Sequence, residues 1–154
     1  HGARVAGVRR HTGAVPEGFE RIHTMDELPE LLPQADVIAS FLPSTPATRG
    51  IVDSAFLARC KRGAYFANGG RGDLVVQADL AEALGRGQLA GAALDVTVPE
   101  PLPADDPLWD APNLLITPHA AGGFHLYTVL DNIARIAAEN LRRLSAGEPI
   151  INAV

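Results

Sequence analysis

Cysteine, methionine and tryptophan each occur once in these 154 residues, and aromatic side chains make up only 5% of them. One thiol, Cys60, excludes a disulfide within the chain and fits a reducing compartment. In Phe56-Leu57-Ala58-Arg59-Cys60-Lys61 it closes a short helical pattern, where a structural thiol is expected rather than a nucleophile. No run approaches the roughly 20 apolar residues of a membrane span, and no signal-peptide pattern is present. Basic charge is in deficit: 13 Lys+Arg against 18 Asp+Glu leave a net charge of -5, which argues against nucleic acid as the main partner. Internal repeats and low-complexity segments are missing, and no metal site is expected. What remains is an ordinary globular composition, 47% hydrophobic and 20% charged, long enough for one core. A cytoplasmic, soluble domain is the expectation, with neither nucleic acid nor membrane as partner.

Strand and helix patterns alternate along the chain. Arg4 to Val8 reads as a short strand. Met25 to Leu32 reads as a helix, with Thr24 as N-cap and Pro33 helping to end it. Asp36 to Leu42 is a near-continuous apolar run stopped by Pro43, as for a strand buried on both faces. Asp53 is placed to cap a helix reaching Arg59. Gly63 to Asn68 is the next strand, and Ala78 to Leu84 a helix closed by Gly85 and Gly87. Leu89 to Val96 and Asn113 to Thr117 complete five strands, and Val98 to Pro112, with five prolines, is a surface loop. Residues 124–144 form the most periodic segment, with Leu126, Val129, Leu130, Ile133, Ile136, Ala137, Leu141 and Leu144 at helical spacing and Gly147 as the stop. Alternation of this kind implies right-handed crossovers and a doubly wound parallel sheet, an α/β fold of Rossmann type.

One absence bears directly on that fold. A complete dinucleotide fold opens with a central strand leading into Gly-x-Gly-x-x-Gly and a helix. The glycine-rich stretch here, Asn68-Gly69-Gly70-Arg71-Gly72, has a different spacing. If Arg4 to Val8 is the second strand of such a fold, the first strand and its phosphate loop lie outside these residues. The chain, starting at His1-Gly2-Ala3-Arg4, is therefore expected to be the later part of a longer protein, unable alone to turn over substrate or to hold a dinucleotide tightly.

Three polar residues sit just past three apolar runs: Arg71 in Asn68-Gly69-Gly70-Arg71-Gly72, Glu100 in Asp95-Val96-Thr97-Val98-Pro99-Glu100-Pro101, and His119 in Thr117-Pro118-His119. In an open α/β sheet the carboxyl ends of neighbouring strands converge on one crevice, where ligands bind. A guanidinium, a carboxylate and an imidazole delivered there suit chemistry on a small carbonyl acid.

The chain resembles the D-isomer-specific 2-hydroxyacid dehydrogenase family, which includes glyoxylate/hydroxypyruvate reductases. The likeness runs through Ala35-Asp36-Val37-Ile38, residues 42–50 (LPSTPATRG), residues 61–72 (KRGAYFANGGRG), residues 89–96 (LAGAALDV), Pro99-Glu100-Pro101-Leu102-Pro103, Pro107-Leu108-Trp109 and Thr117-Pro118-His119, in order over nearly the whole chain. It implies an oxidoreductase transferring a hydride between NADP(H) or NAD(H) and a small 2-oxo or 2-hydroxy acid. Arg71 would grip the substrate carboxylate and polarise the adjacent carbonyl. His119 would be the acid/base, and Glu100 would orient its imidazole and favour the protonated form. Leu42, Pro43, Thr48, Gly69, Gly70 and Asp95 would line the nicotinamide half of the cofactor site, with Gly122 closing over it and the small glycines letting a flat ring approach. The resemblance also implies a homodimer, a partial dinucleotide-binding domain over residues 1–122, and a terminal helix and tail over residues 123–154 that return to the substrate-binding domain.

Departures from the family pattern carry information of their own. NAD-selective members place an acid at the end of the first strand, whereas this chain has Arg9-Arg10. Adjacent guanidiniums favour a 2′-phosphate over a hydroxyl, so NADP(H) is the preferred cofactor. After His119 the run is Ala120-Ala121-Gly122-Gly123-Phe124, and Phe124, His125 and Tyr127 are expected to pack rather than shape the substrate pocket. The alternative function is a non-catalytic, dinucleotide-sensing binding protein of corepressor type on the same fold. The shortage of basic and low-complexity sequence argues for the enzyme.

Overall fold

The computed structural model describes residues 2–11, 13–123 and 126–152. Residues 1–119 form one compact unit and residues 120–154 a second. Within the first, β1 (Ala6–Val8) pairs in parallel with β2 (Arg21–His23), a strand that sequence patterning does not pick out. At three residues β2 is too short to show alternation, and Arg21 and His23 dilute its apolar character. A second ladder, β3 (Val37–Ser40), β4 (Ala64–Asn68), β5 (Leu89–Leu94) and β6 (Leu114–Ile116), is parallel throughout, in that spatial order. The strands thus number six among the described residues, not five.

Between them lie short helices. Met25 to Leu32 is not one α-helix: 3-10 turns at Met25–Glu27 and Leu32–Gln34 flank α1 (Leu28–Leu31). Pro33 lies inside the second turn instead of ending the first, because a proline in an opening turn has no N–H to waste. Helix α2 (Ser54–Arg59) starts on Asp53, whose carboxylate accepts from the Phe56 N–H at 2.9 Å. Helix α3 (Gln77–Gly85) includes Gly85, and Gly87 (φ +63°) follows it in the left-handed region. The proline-rich segment 98–112 carries a 3-10 turn, Pro107–Asp110, capped by the Asp106 side chain.

The core forms where α2 and α3 pack on one face of the second ladder. Leu57, Phe66, Leu74, Leu80, Leu89 and Leu94 are fully buried, and Phe56 meets Phe66 edge to face at 6.4 Å between centroids. Burial of each such side chain stabilises by about 1.5–3 kcal/mol. Cys60 joins this cluster, and burial pushes its thiol up to about 11, which makes it a structural residue. The opposite face is open: Val37, Phe41, Tyr65 and Leu115 are exposed. The sequence suggests a β3 strand buried on both faces; within these 154 residues alternate β3 residues point away from the helices and are uncovered.

In the second unit α4 (Tyr127–Ser145) is a long helix ended by Ala146 and Gly147, the latter at φ +69°. Glu139 holds Arg142 and Arg143, and Asn140 exchanges two hydrogen bonds with the backbone of Ile151. Its apolar stripe, including Leu130, Ile133, Leu141 and Leu144, is exposed. Phe124, His125 and the Tyr127 side chain, expected to pack, lie outside the described residues.

Candidate active site

The register of the second ladder sets the site. Ser40 pairs with Asn68, Asn68 with Leu94 and Leu94 with Ile116, so four strands end level. The segments leaving those ends bring Arg71, Glu100 and His119 onto the wall of one cavity of about 460 Å³, together with Ser44, Gly72, Asp73 and Thr97.

Arg71 is placed by its own loop. Asn68 is 1% exposed, and its side chain donates to the Arg71 carbonyl at 2.9 Å while accepting from the Gly70 N–H at 3.1 Å. A buried amide thus satisfies its donor and its acceptor by folding the turn. The Arg71 guanidinium reaches into the cavity, with a hydrogen bond to the Gly70 carbonyl at 2.8 Å. Gly72 then presses its backbone on Thr97: a Cβ there would lie 2.2 Å from the Thr97 carbonyl oxygen.

That contact joins the Arg71 turn to the segment that carries Glu100. One Glu100 carboxylate oxygen accepts from the Thr97 N–H at 2.9 Å, and the other lies 2.8 Å from His119 Nδ1. The Val98 N–H donates to the Gln77 side chain at 2.7 Å, fixing the segment to the start of α3. The peptide bonds before Pro99 and Pro101 are both cis. The His119 hydrogen bond, followed by the Thr97 N–H, lowers the Glu100 carboxyl below its ordinary range. An ionised carboxylate only accepts, so Nδ1 carries the proton of this bond and Nε2 is left for a ligand. His119 adopts φ +51°, a left-handed conformation rarely taken by residues other than glycine, and its N–H donates to the Asp95 carbonyl at 2.9 Å. In this backbone conformation the imidazole lines the cavity with its Nδ1 on Glu100.

The remaining candidate residues divide into four places. Arg9, Arg10, Leu42, Pro43 and Thr48 line a second cavity of about 720 Å³, whose apolar wall includes Met25, Leu28, Ile51 and Phe56 and whose rim includes Arg59. Thr48 Oγ1 donates to the Pro43 carbonyl at 2.6 Å, which closes that loop. Asp95 is half-buried at the end of β5 and accepts from Thr117 Oγ1 at 2.6 Å. Gly69 and Gly70 are also held small by packing: a Cβ on Gly70 would lie 2.6 Å from the Leu42 carbonyl oxygen, and one on Gly69 would lie 2.8 Å from the Phe41 ring. Gly122, at φ +74°, belongs to the second unit. Sequence reasoning missed Ser44, Asp73 and Thr97 in the cavity wall and Asn68 beneath it. Only Asn68 had a local signal, a polar strand end before Gly-Gly. Among the described residues no group of acidic, histidine or cysteine side chains is arranged to hold a metal ion, and no helix is long and apolar enough to cross a membrane.

A parallel sheet with ligand-facing groups gathered at its carboxyl edge defines a Rossmann-like α/β domain. The family profile described as D-isomer specific 2-hydroxyacid dehydrogenase, NAD binding domain, matches residues 1–121. The chain belongs to that family. It is 40% identical over 149 residues to the human glyoxylate reductase/hydroxypyruvate reductase, covering 94% of this chain and 45% of the human protein. It is 38% identical over 126 residues to glyoxylate/hydroxypyruvate reductase A of Photorhabdus laumondii, covering 82% and 39% respectively. A D-isomer specific 2-hydroxyacid dehydrogenase of Xanthobacter autotrophicus Py2, solved with NADPH and MES, superposes with a TM-score of 0.85 at 42% identity, over 100% of this chain and 62% of that one. The NADPH-dependent glyoxylate/hydroxypyruvate reductase of Sinorhizobium meliloti, solved with NADP and sulfate, gives 0.81 at 34% identity, over 99% and 48%. The chain therefore spans less than half the length of these curated relatives.

Proposed function

We propose that the protein containing this chain reduces small 2-oxo acids, glyoxylate and hydroxypyruvate foremost, with NADPH preferred to NADH. The observation that carries this reading is the single cavity shared by Arg71, Glu100 and His119, with Nδ1 of the histidine engaged and Nε2 available. The second cavity suits the cofactor's adenosine end. Its lining is mainly apolar and includes the consecutive residues Arg9 and Arg10; the Arg9 guanidinium bonds the Ala14 carbonyl at 3.1 Å, and neither arginine has an ion pair among the described residues. The complexes of the two structural relatives with NADPH and NADP support the same choice.

In this reading Arg71 binds the substrate carboxylate through its fork of donors and draws electron density from the adjacent carbonyl. The nicotinamide, when bound, supplies a hydride to the carbonyl carbon. His119 donates its Nε2 proton to the carbonyl oxygen as charge develops there, and recovers a proton from solvent or, in the reverse direction, from the hydroxyl. Glu100 stays ionised, fixes the ring through Nδ1 and balances the imidazolium form. With the cofactor bound, Arg9 and Arg10 would hold the 2′-phosphate, and Asp95, which accepts from Thr117, would serve the carboxamide.

The test uses the full-length protein and follows loss of nicotinamide absorbance. Arg71→Ala and His119→Ala are each expected to lower kcat/KM by about a hundredfold or more. Replacing Arg9 and Arg10 by alanine should raise KM for NADPH much more than for NADH. Background turnover by the parent protein with all 2-oxo acids would replace the enzyme by a dinucleotide-binding protein. Equal rises in the two KM values would refute the role of the arginine pair.

A further inference from the structure

Two acidic side chains line the cavity, Glu100 and Asp73. Glu100 is engaged by His119 and Thr97, but Asp73 follows Arg71 by only two residues, inside the 3-10 turn Gly72–Leu74. A carboxylate so placed works against an anionic substrate in two ways of the same sign. It competes for the Arg71 guanidinium, and it repels an incoming carboxylate.

The structure holds Asp73 by other means. Its Oδ2 accepts from Ser44 Oγ at 2.5 Å and lies 3.2 Å from Arg49 Nε, which also reaches Ser44 Oγ at 3.3 Å. Arg49 is not among the residues that line the cavity, yet it meets two that are, Asp73 and Ser44. Backbone pairing keeps the two segments in register: Gly50 N–H donates to the Asp73 carbonyl at 2.8 Å, Val52 N–H to Leu74 at 2.9 Å, and Val76 N–H to Val52 at 3.0 Å. Arg71 itself has no ion pair among the described residues, and its side chain bonds only the neighbouring Gly70 carbonyl. The cavity wall thus holds one guanidinium without an ion pair among the described residues, and one aspartate whose Oδ2 is met by a second cation while its Oδ1 is buried without a hydrogen-bond partner.

We propose that Arg49 is a positioning residue: by occupying Asp73 it keeps Arg71 available for the carboxylate of an anionic substrate. The inference rests on the substrate-binding role given to Arg71 above, and its signature is charge rescue. In the full-length protein, Arg49→Met should raise KM for glyoxylate and for hydroxypyruvate by about tenfold, the scale of one half-screened charge interaction. The KM for NADPH should move far less. Adding Asp73→Asn, which keeps an acceptor for Ser44 but removes the charge, should return the substrate KM to within about threefold of the parent. Arg49→Lys, which keeps the cation, should stay near the parent value. If Arg49→Met does not fold, Arg49→Gln takes its place in the same pair of measurements. A merely structural Arg49 gives a lower Tm, an unchanged KM in the folded fraction and no rescue, and that result overturns the proposal. Arg71→Ala serves as the control. If it leaves the substrate KM unchanged, the reading of Arg71 falls, whereas a raised KM there with no rescue at Arg49 and Asp73 sinks this inference alone.

Discussion

Gly72→Ala adds one methyl group at a point where the structure has no room for it. The added carbon would lie 2.2 Å from the Thr97 carbonyl oxygen, 2.4 Å from its carbon and 2.9 Å from its Cα, all backbone atoms. Ordinary contact begins at about 3.4 Å, so the Arg71 turn and the Thr97–Glu100 segment must separate by roughly 1 Å. Thr97 is anchored by the Glu100 carboxylate and Val98 by Gln77, so the separation strains bonds that also hold His119. Overpacking of this kind costs about 1–3 kcal/mol of stability, and a misplacement of about 1 Å between reacting groups costs about a hundredfold in rate. Gly72 does not lie in the left-handed region, so without the clash alanine would stabilise by about 0.4–1 kcal/mol through the unfolded chain. The two accounts thus predict opposite signs. Urea unfolding of the full-length protein, with kcat/KM for glyoxylate measured on the folded fraction, separates them. A stabilised variant, or one with activity within threefold of the parent, would refute the coupling of the two segments through Gly72.

Two further outcomes follow from the local geometry. Asp53→Ala removes the acceptor for the Phe56 N–H at the start of α2 and should lower stability by about 0.5–2 kcal/mol, read as a shifted urea midpoint at unchanged slope. The Glu27 carboxyl is held down to about 2 by the Thr24 N–H and then by His23. Its folded value lies below its unfolded one, so its contribution is complete above the usual carboxylate range and is lost as pH falls toward that value. Glu27→Gln should therefore unfold at lower temperature than the parent near neutral pH, with the gap closing in strong acid; a gap independent of pH would count against this assignment.

Residues with a local signature were legible in the sequence. The apolar runs ending at Asn68 and near Leu94 and Ile116 marked strands, and the residues just beyond them marked the cavity. Asp53 declared its capping role through its place before a helical pattern. What escaped depended on residues distant in sequence. Asp73 meets a serine 29 positions away, and Gly72 is shaped by Thr97 from another segment. The close approach of Phe41 and Leu42 to Gly69 and Gly70 escaped for the same reason, since it comes from another strand's end. The open side of β3 also escaped, because an apolar strand looks the same in sequence whether one face or both are covered.

The amide of Asn68 bears on time as well as on place. Its two hydrogen bonds close the turn from Gly70 to Arg71 from within, using only residues next in the chain. The root of the guanidinium is thereby set when the domain folds, before any ligand arrives. At this turn the backbone has little left to order on arrival, so the entropy lost there on holding a carboxylate is chiefly that of the Arg71 side chain.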